Sequence, residues 1–557
     1  MDNYQIADTF SLLSKLMDIH GENSFKSKSY SSAAFAIEKL SMPLQEMPMQ
    51  KIGIIKGIGT SCAQKIEELL NTGEIKSLSE LFLSTPPGII EMLNVKGVGP
   101  KKINCIWKEM NIETVGELLY ACEENRLKLF KGFGEKNQQN IADSIQFYLK
   151  TKGSHTYAQA DAVVVQLQSF LFAHFPGKKI HITGAYYRQL EMVDELEFVL
   201  ESSTDKIEKI LLNETAIQLK EKTANWIKYT SNAGIDFKIH CADVNNFANT
   251  LVYTSSSDEV LEALALTGLQ ETATDEEDFF RQRNLNPIPA RLREKAPIVA
   301  IAQQKIIDGW IEREDIYGLI HCHSKWSDGS NTIEEMATAC MEEGLEYMVI
   351  SDHSKTAFYA QGLYEDKIIV QHQQIDELNK KLFPFRIFKS IESDILNDGR
   401  LDYDNKVLAS FDLVIASIHS NLKMTEEKAM MRLINAIENP YTTILGHLTG
   451  RLLLGRPPYP VDHKKIIDAC AQNKVVIELN ANPNRLDIDW RHIDYALEKN
   501  VLISINPDAH FISGLHDLRY GVLAAQKAWV KKENNLSSFH LADFEQYILN
   551  RKKLKSI

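Results

Sequence analysis

The sequence predicts a multidomain α/β protein: a helical region first, an α+β segment in the middle and a β/α barrel at the C-terminus. Three observations predict it. The first 150 residues carry helical apolar spacing and a glycine pattern that occurs three times. Near residue 195, acidic and apolar residues alternate with strand period. Beyond residue 316, short apolar runs alternate with helical patterns, as in a parallel barrel. A chain of 557 residues exceeds one core, so two to four domains are expected.

In the first region (1–150), Ile6, Phe10, Leu13 and Met17 fall at helical spacing, and Gly21-Glu22-Asn23 ends that helix before the run from Ala33 to Leu40. The patterns Lys56-Gly57-Ile58-Gly59, Lys96-Gly97-Val98-Gly99 and Lys131-Gly132-Phe133-Gly134 follow at intervals of about 35 to 40 residues. Each opens a helix with a lysine in its early turns: Lys65, Lys101 and Lys136. Glycines two apart before a helix make a tight turn that aims backbone N–H groups and the helix N-terminus outward. That is an anion site for a DNA phosphate, indifferent to base sequence. These segments resemble helix-hairpin-helix elements. A net charge of -13 argues against binding DNA through a global field. Amide donors avoid that obstacle.

In the middle region (151–290), Glu195 and Glu197 alternate with Leu196 and Phe198, which puts both carboxylates on one strand face, where Asp236 joins them from a neighbouring strand. Paired carboxylates on a sheet suit two-metal nucleotidyl transfer. Residues 291–315 carry Pro297 and acidic residues with little periodicity, and read as a linker.

In the last region (316–557), His321 and His323 stand two apart on a strand, with Asp328 close behind. On a regular strand both rings face one way and Cys322 the other, into barrel packing. Later apolar runs end at Asp352-His353, at Glu392 and Asp394, at His419, at His447, at Asn480, and at Asp508 and His510. In a β/α barrel such strand ends converge on one mouth. Nine candidate metal ligands gather there: His321, His323, Asp328, His353, Glu392, His419, His447, Asp508 and His510. Lys355, Arg451, Arg456 and Arg485 lie in loops around the mouth as candidate holders of substrate phosphate.

This segment resembles a PHP (polymerase and histidinol phosphatase) domain, which implies a distorted, seven-stranded β/α barrel with three metal ions. By that resemblance His321, His323, Glu392 and Asp508 hold one ion, Glu392 bridges to a second held by His419 and His447, and Asp328, His353 and His510 hold the third. The family's usual acidic residue two positions before the first histidine is Leu319 here. Several histidines beside few carboxylates favour manganese, zinc or iron over magnesium.

From about residue 3 to residue 530 the chain resembles the bacterial family X DNA polymerases, which implies a nucleotidyltransferase-like palm and thumb in the middle region. The polymerase motifs depart from the family pattern. Its Gly-Ser is Gly184-Ala185, its arginine pair is Tyr187-Arg188, and its first two catalytic aspartates align with Glu195 and Glu197, while Asp236 is kept. Residues 253–257 replace a glycine-rich turn. An added methylene moves each carboxylate by about an ångström, and such a displacement can cost about a hundredfold in rate. The resemblance thus implies a DNA-binding, manganese-dependent 3'-5' exonuclease or 3'-end processing enzyme of DNA repair, with weak or absent polymerase activity. Magnesium or manganese at the polymerase-like site is left open. The alternatives are an active gap-filling polymerase, and a phosphatase acting on a small phosphomonoester such as histidinol phosphate. The implied partner is DNA that is gapped, single-stranded or bears 3' ends, and a monomer fits. Seven cysteines without a CxxC pair read as free thiols. With no membrane-length apolar run and no signal pattern, the expected location is cytoplasmic.

Overall fold

The computed structural model describes every residue except 41, 125, 128, 129, 131 and 266–271, and the side chains of 49, 50 and 123 are likewise outside the description. Lys131 of the third glycine pattern therefore lies outside the described residues. The chain forms two compact units, Met1–Lys152 and Gly153–Ile557.

The first unit is helical throughout its described residues. Asp2 caps Asn3–His20 in a reciprocal box with Gln5, and Gly21 at φ 73° ends that helix. Asn23 caps the next helix, Ser24–Glu38. Each glycine pair then opens a helix: Thr60–Thr72, Pro100–Lys108 and Glu135–Thr151. The residue between the two glycines is buried each time. Ile58 joins a cluster with Phe10, Tyr30 and Ile66, whereas Val98 and Phe133 join one with Ile19, Ile103 and Ile141. Burying that apolar residue anchors the turn and leaves both glycines at the surface.

In the second unit, β1 (His155–Thr156) pairs with β3 (Met192–Val193), and β2 (Ile180–Thr183), β4 (Leu196–Glu201), β5 (Ile217–Lys222), β6 (Trp226–Ser231) and β7 (Asp236–Ala242) form a sheet in the order β2-β4-β7-β6-β5. Its inner face, with Leu196, Phe198, Ile227, Phe237 and Ile239, packs on Val164, Leu167 and Leu171 of the helix Tyr157–His174. Strand alternation turns Glu195, Glu197, Lys228, Asp236, Lys238 and His240 to the other face.

Residues 291–315 are not the plain linker expected from sequence. Leu292, Ile298, Val299, Ala302 and Ile307 are buried with Val252, Phe279 and Phe280, so most of this stretch completes the apolar core of the preceding domain. Its helix Pro297–Gln304 is short, which hid the periodicity.

The barrel strands β8 (Gly318–Cys322), β9 (Tyr347–Ile350), β10 (Arg386–Asp394), β11 (Leu413–Ser417), β12 (Thr442–Leu445), β13 (Val476–Asn480) and β14 (Ile503–Asn506) follow in sequence order, all parallel, as a nearly closed seven-stranded sheet. A single bridge from Cys322 to Ala509 brings its two edges together. Ile320, Tyr347, Val349, Phe388 and Ile415 fill the interior, and Phe544 and Ile548 of the helix Leu541–Lys555 join them. Tyr347 and Leu413 begin their strands, so this packing stops the N-terminal end of the barrel and leaves the C-terminal end for side chains.

Polar contacts tie barrel to middle domain within this unit. Glu191 accepts from Trp490 Nε1 (3.0 Å) and from Arg491 (2.6 Å). Arg519 pairs with Asp161 at 2.9 Å and the buried Lys527 with Glu294 at 3.0 Å.

Candidate metal centre

The C-terminal ends of the barrel strands bring all nine expected residues into one pocket, though not by regular strand geometry at the first pair. His321 adopts φ 64° and the β8–β9 register slips between Ile320 and Cys322. A regular strand would have aimed both imidazoles alike. Here a bulge turns His321, and Asp508 also sits at positive φ (54°). Such conformations cluster where the surrounding fold fixes a functional geometry. Cys322 is buried, as expected, and its thiol reaches the Val349 carbonyl at 3.5 Å.

Glu392 lies at the centre, fully desolvated. His447 Nε2 is 2.9 Å and His419 Nε2 3.2 Å from its Oε1, and His353 Nδ1 is 3.0 Å from its Oε2. Asp508 Oδ1 is 3.0 Å from His323 Nε2 and 3.6 Å from His321 Nε2. Asp328 lies 3.5 Å from His510 and 3.6 Å from His353. Potential ligand atoms fall within 4.8 Å of one another in three groups: His321, His323 and Asp508; His353, Glu392 and His419; and His323, Asp328, His353 and His510. His447 lies outside these groups and touches the second through Glu392.

The residues present fit divalent cations. Among the described residues, His321 Nε2, His323 Nδ1 and His447 Nδ1 are buried without a hydrogen-bond partner, and His353 Nδ1 and Glu392 Oε2, though 3.0 Å apart, make no hydrogen bond to each other or to any other group. Each orphan of this kind costs about 1–3 kcal/mol unless something else satisfies it. Burial, with His510 and His353 nearby, pushes His323 down to about 3, keeping it neutral and able to donate a lone pair. Burial opposes the charge on Asp328, but His510 and His353 hold it at about 2. Carboxylates at Asp328, Glu392, Asp394, Glu478 and Asp508 supply the negative charge that cations would balance.

Glu478, Asp394, Asn480 and Asn506 form a supporting layer to which sequence reasoning gave no role. Glu478 accepts from His321 Nδ1 (2.6 Å), the His447 amide (3.0 Å), Asn480 (3.0 Å) and Asn506 (2.8 Å), while Asp394 lies 2.6 Å from His419 Nδ1. These bonds place the proton on the far ring nitrogen and aim the other into the pocket. A signal was available, since Glu478 stands among Val476, Ile477 and Leu479 in the strand Val476–Asn480.

The three hairpins share one geometry. Gly57, Gly97 and Gly132 have φ of 97°, 86° and 93°, and Gly59, Gly99 and Gly134 cap their helices with no side chain bonded to the first-turn amides. A Cβ at Gly59, Gly97, Gly99, Gly132 or Gly134 would meet nothing within 4 Å, so the surface beside these glycines is open. Lys101 and Lys136 are exposed, whereas Lys65 pairs with Glu68 at 2.6 Å.

Residues 1–75 match a family described as a helix-hairpin-helix domain, residues 89–146 one described as a SAM-like helix-hairpin-helix tandem, and residues 320–482 the PHP domain. The "DNA polymerase/3'-5' exonuclease PolX" of Bacillus subtilis (strain 168) is 32% identical over 562 residues, covering 96% of this chain and 96% of its own length. The chain belongs to the PolX family. Proteins described as probable phosphatases match smaller parts: one from Caldanaerobacter subterraneus subsp. tengcongensis is 30% identical over 27% of the chain and 56% of its own length, and one from Acetivibrio thermocellus is 28% identical over 40% and 90%.

Elsewhere in this PolX chain the expected sites fare unevenly. Arg451 is no free phosphate holder: it is buried, pairs with Asp489 at 2.6 Å and donates to the carbonyls of Arg485 and Leu486. Arg456 is folded onto the Gly450 carbonyl at 2.6 Å, and Lys355 pairs with Glu365 at 2.6 Å. Arg485 is the best placed of the four, its Nε 3.8 Å from Asp508 Oδ2 at the pocket edge. On the β2–β7 sheet, Glu195, Glu197 and Asp236 share the polar face, but each carboxylate is engaged: Glu195 by Lys228 (2.7 Å) and Lys238, Glu197 by the His240 ring (2.7 Å), Asp236 by Lys220 (3.0 Å). Among the described residues, no helix is long and apolar enough to cross a membrane.

Proposed function

We propose that this chain is a DNA-binding, divalent-metal-dependent phosphoesterase that trims DNA from 3' ends, with hydrolysis in the barrel and little or no nucleotidyl transfer in the palm. The observation that carries this reading is the set of orphaned, buried imidazole and carboxylate atoms around Glu392. His321, His323, Glu392 and Asp508 would hold one cation, Glu392, His419 and His447 a second, and Asp328, His353 and His510 a third, with manganese, zinc or iron the suitable metals. When bound, such cations supply Lewis acidity at the scissile phosphoryl group and a nucleophile at neutral pH.

The protein's own residues do the rest. Glu478 and Asp394 orient His321 and His419. Arg485 offers a guanidinium at the pocket edge for a non-bridging phosphate oxygen. Phe358 and Tyr359 stand at the rim, 82% and 61% exposed, with the Tyr359 ring 6.4 Å from His353. Exposed aromatics beside such a centre suit unstacked bases of a single-stranded end. The glycine hairpins hold the DNA backbone without reading sequence, which suits a processing enzyme.

The test is incubation with manganese and end-labelled single-stranded, gapped and abasic DNA, beside a His419→Ala/His447→Ala variant. Laddering from the 3' end, absent in the variant, is expected. The matches to probable phosphatases favour a second reading, turnover of a small phosphomonoester such as histidinol phosphate. Such turnover with intact DNA would replace the first reading.

A further inference from the structure

The polar face of the palm sheet sets three carboxylates against three lysines and a histidine. Cross-strand register puts Lys228 of β6 directly opposite Lys238 of β7, a like-charge pair that by itself destabilises a sheet. Glu195 resolves it: Oε2 lies 2.7 Å from Lys228 Nζ, and Oε1 bonds Lys238. The Lys228 contact is an ion pair without hydrogen-bond geometry, whereas Asp236 is bonded and flanked by lysines at both oxygens. Its Oδ1 accepts from Thr230 at 2.7 Å and lies 3.0 Å from Lys220 Nζ, while its Oδ2 is 3.4 Å from Lys228. Glu197 Oε2 bonds His240 Nε2, and its other oxygen fills the space over Gly184, where a Cβ would come within 2.1 Å of it.

Two further facts bear on cation binding. Among the described residues, every group of three or more candidate ligand atoms within 4.8 Å of one another lies in the barrel, so Glu195, Glu197 and Asp236 do not converge. The three lysines balance the charge of the three carboxylates. A divalent cation would have to displace ammonium groups that already hold these oxygens, and would add charge to a balanced surface.

We propose that the palm of this chain binds no divalent cation, because Lys220, Lys228 and Lys238 serve as built-in counterions to carboxylates that would otherwise ligate one, and His240 occupies the third, Glu197, by a hydrogen bond. Glu195 is then a sheet-stabilising residue that separates two facing lysines. The lysines, more than the added methylene of each glutamate, close the site to metal.

The inference is independent of the barrel's activity and is tested on metal content. Manganese bound per full-length chain is measured by equilibrium dialysis and by electron paramagnetic resonance of the free ion. The isosteric Glu195→Gln/Asp236→Asn variant is expected to bind as many ions as the parent, with a lowered melting temperature from the uncovered lysine pair. Loss of one ion per chain in that variant would overturn the proposal. Restoring family aspartates with Glu195→Asp/Glu197→Asp is expected to add no ion, whereas Lys228→Ala/Lys238→Ala is expected to add one. A gain from the aspartates alone, or no gain from removing the lysines in a variant whose circular dichroism matches the parent, would equally refute the assignment.

Discussion

Glu478→Gln is the sharpest probe of the barrel site, because it leaves every expected ligand in place. The carboxylate is surrounded by four donors: His321 Nδ1 and Asn506 at Oε2, and the His447 amide and Asn480 at Oε1. An amide has one accepting oxygen and one donating NH2, so either orientation of the glutamine sets its NH2 against two donors. With NH2 toward His321, the ring must move its proton to Nε2, the atom 3.3 Å from Glu392 and 3.6 Å from Asp508. That removes the lone pair a cation needs. With NH2 toward His447, its amide and Asn480 lose their acceptor. Disturbing one such supporting bond typically weakens metal binding by about 10–100-fold, or about 1.4–2.7 kcal/mol. Isothermal titration with manganese, with far-UV circular dichroism as a check on folding, measures the change. Unchanged affinity and unchanged DNA hydrolysis in a folded variant would refute the claim that Glu478 sets the His321 tautomer.

Four further outcomes are expected. Arg485→Ala raises KM for oligonucleotides about tenfold, the effect of one charge-assisted contact, without lowering the melting temperature. Tyr359→Ala raises KM for single-stranded DNA while Tyr359→Phe keeps it, if stacking is what the rim supplies. Lys101→Gln and Lys136→Gln each lower the slope of log affinity against log salt by about 1, equally for unrelated DNA sequences. Burial opposes the charge on Asp489, yet Arg451 and Arg491 hold its pKa at about 2 against an ordinary 3.8. A depressed folded pKa adds stability above the ordinary value and loses it as pH falls from about 4 to 2, so Asp489→Asn should flatten that acid limb by about 2 kcal/mol.

The barrel was legible because one physical rule, strand ends converging on a single mouth, converts spacing along the chain into proximity. His321 through His510 span most of a domain in sequence, and that rule alone was enough to gather them. The supporting layer was less legible. Glu478 faces the pocket from inside an apolar strand, and its partners come from β8, β12 and β14, so its meaning depends on which strands are neighbours. The palm shows the same limit from the other side. Alternation placed Glu195 and Glu197 on one face, but that Lys228 and Lys238 flank Glu195 follows from β6–β7 register, which no local pattern carries. Arg451 was singled out for its loop position, and only the fold reveals that Asp489 and two carbonyls consume its guanidinium. Residues 291–315 lacked periodicity because their apolar residues serve a core shared with distant segments.

The contacts between palm and barrel change what a fragment of this protein can be. Glu191 receives Trp490 and Arg491, Asp161 holds Arg519, and Glu294 neutralises the buried Lys527. A fragment cut at residue 316 would carry off the barrel with Lys527 stripped of its counterion and Trp490 stripped of its acceptor. The β2–β7 sheet and the helices around it thus buttress the barrel through these three contacts.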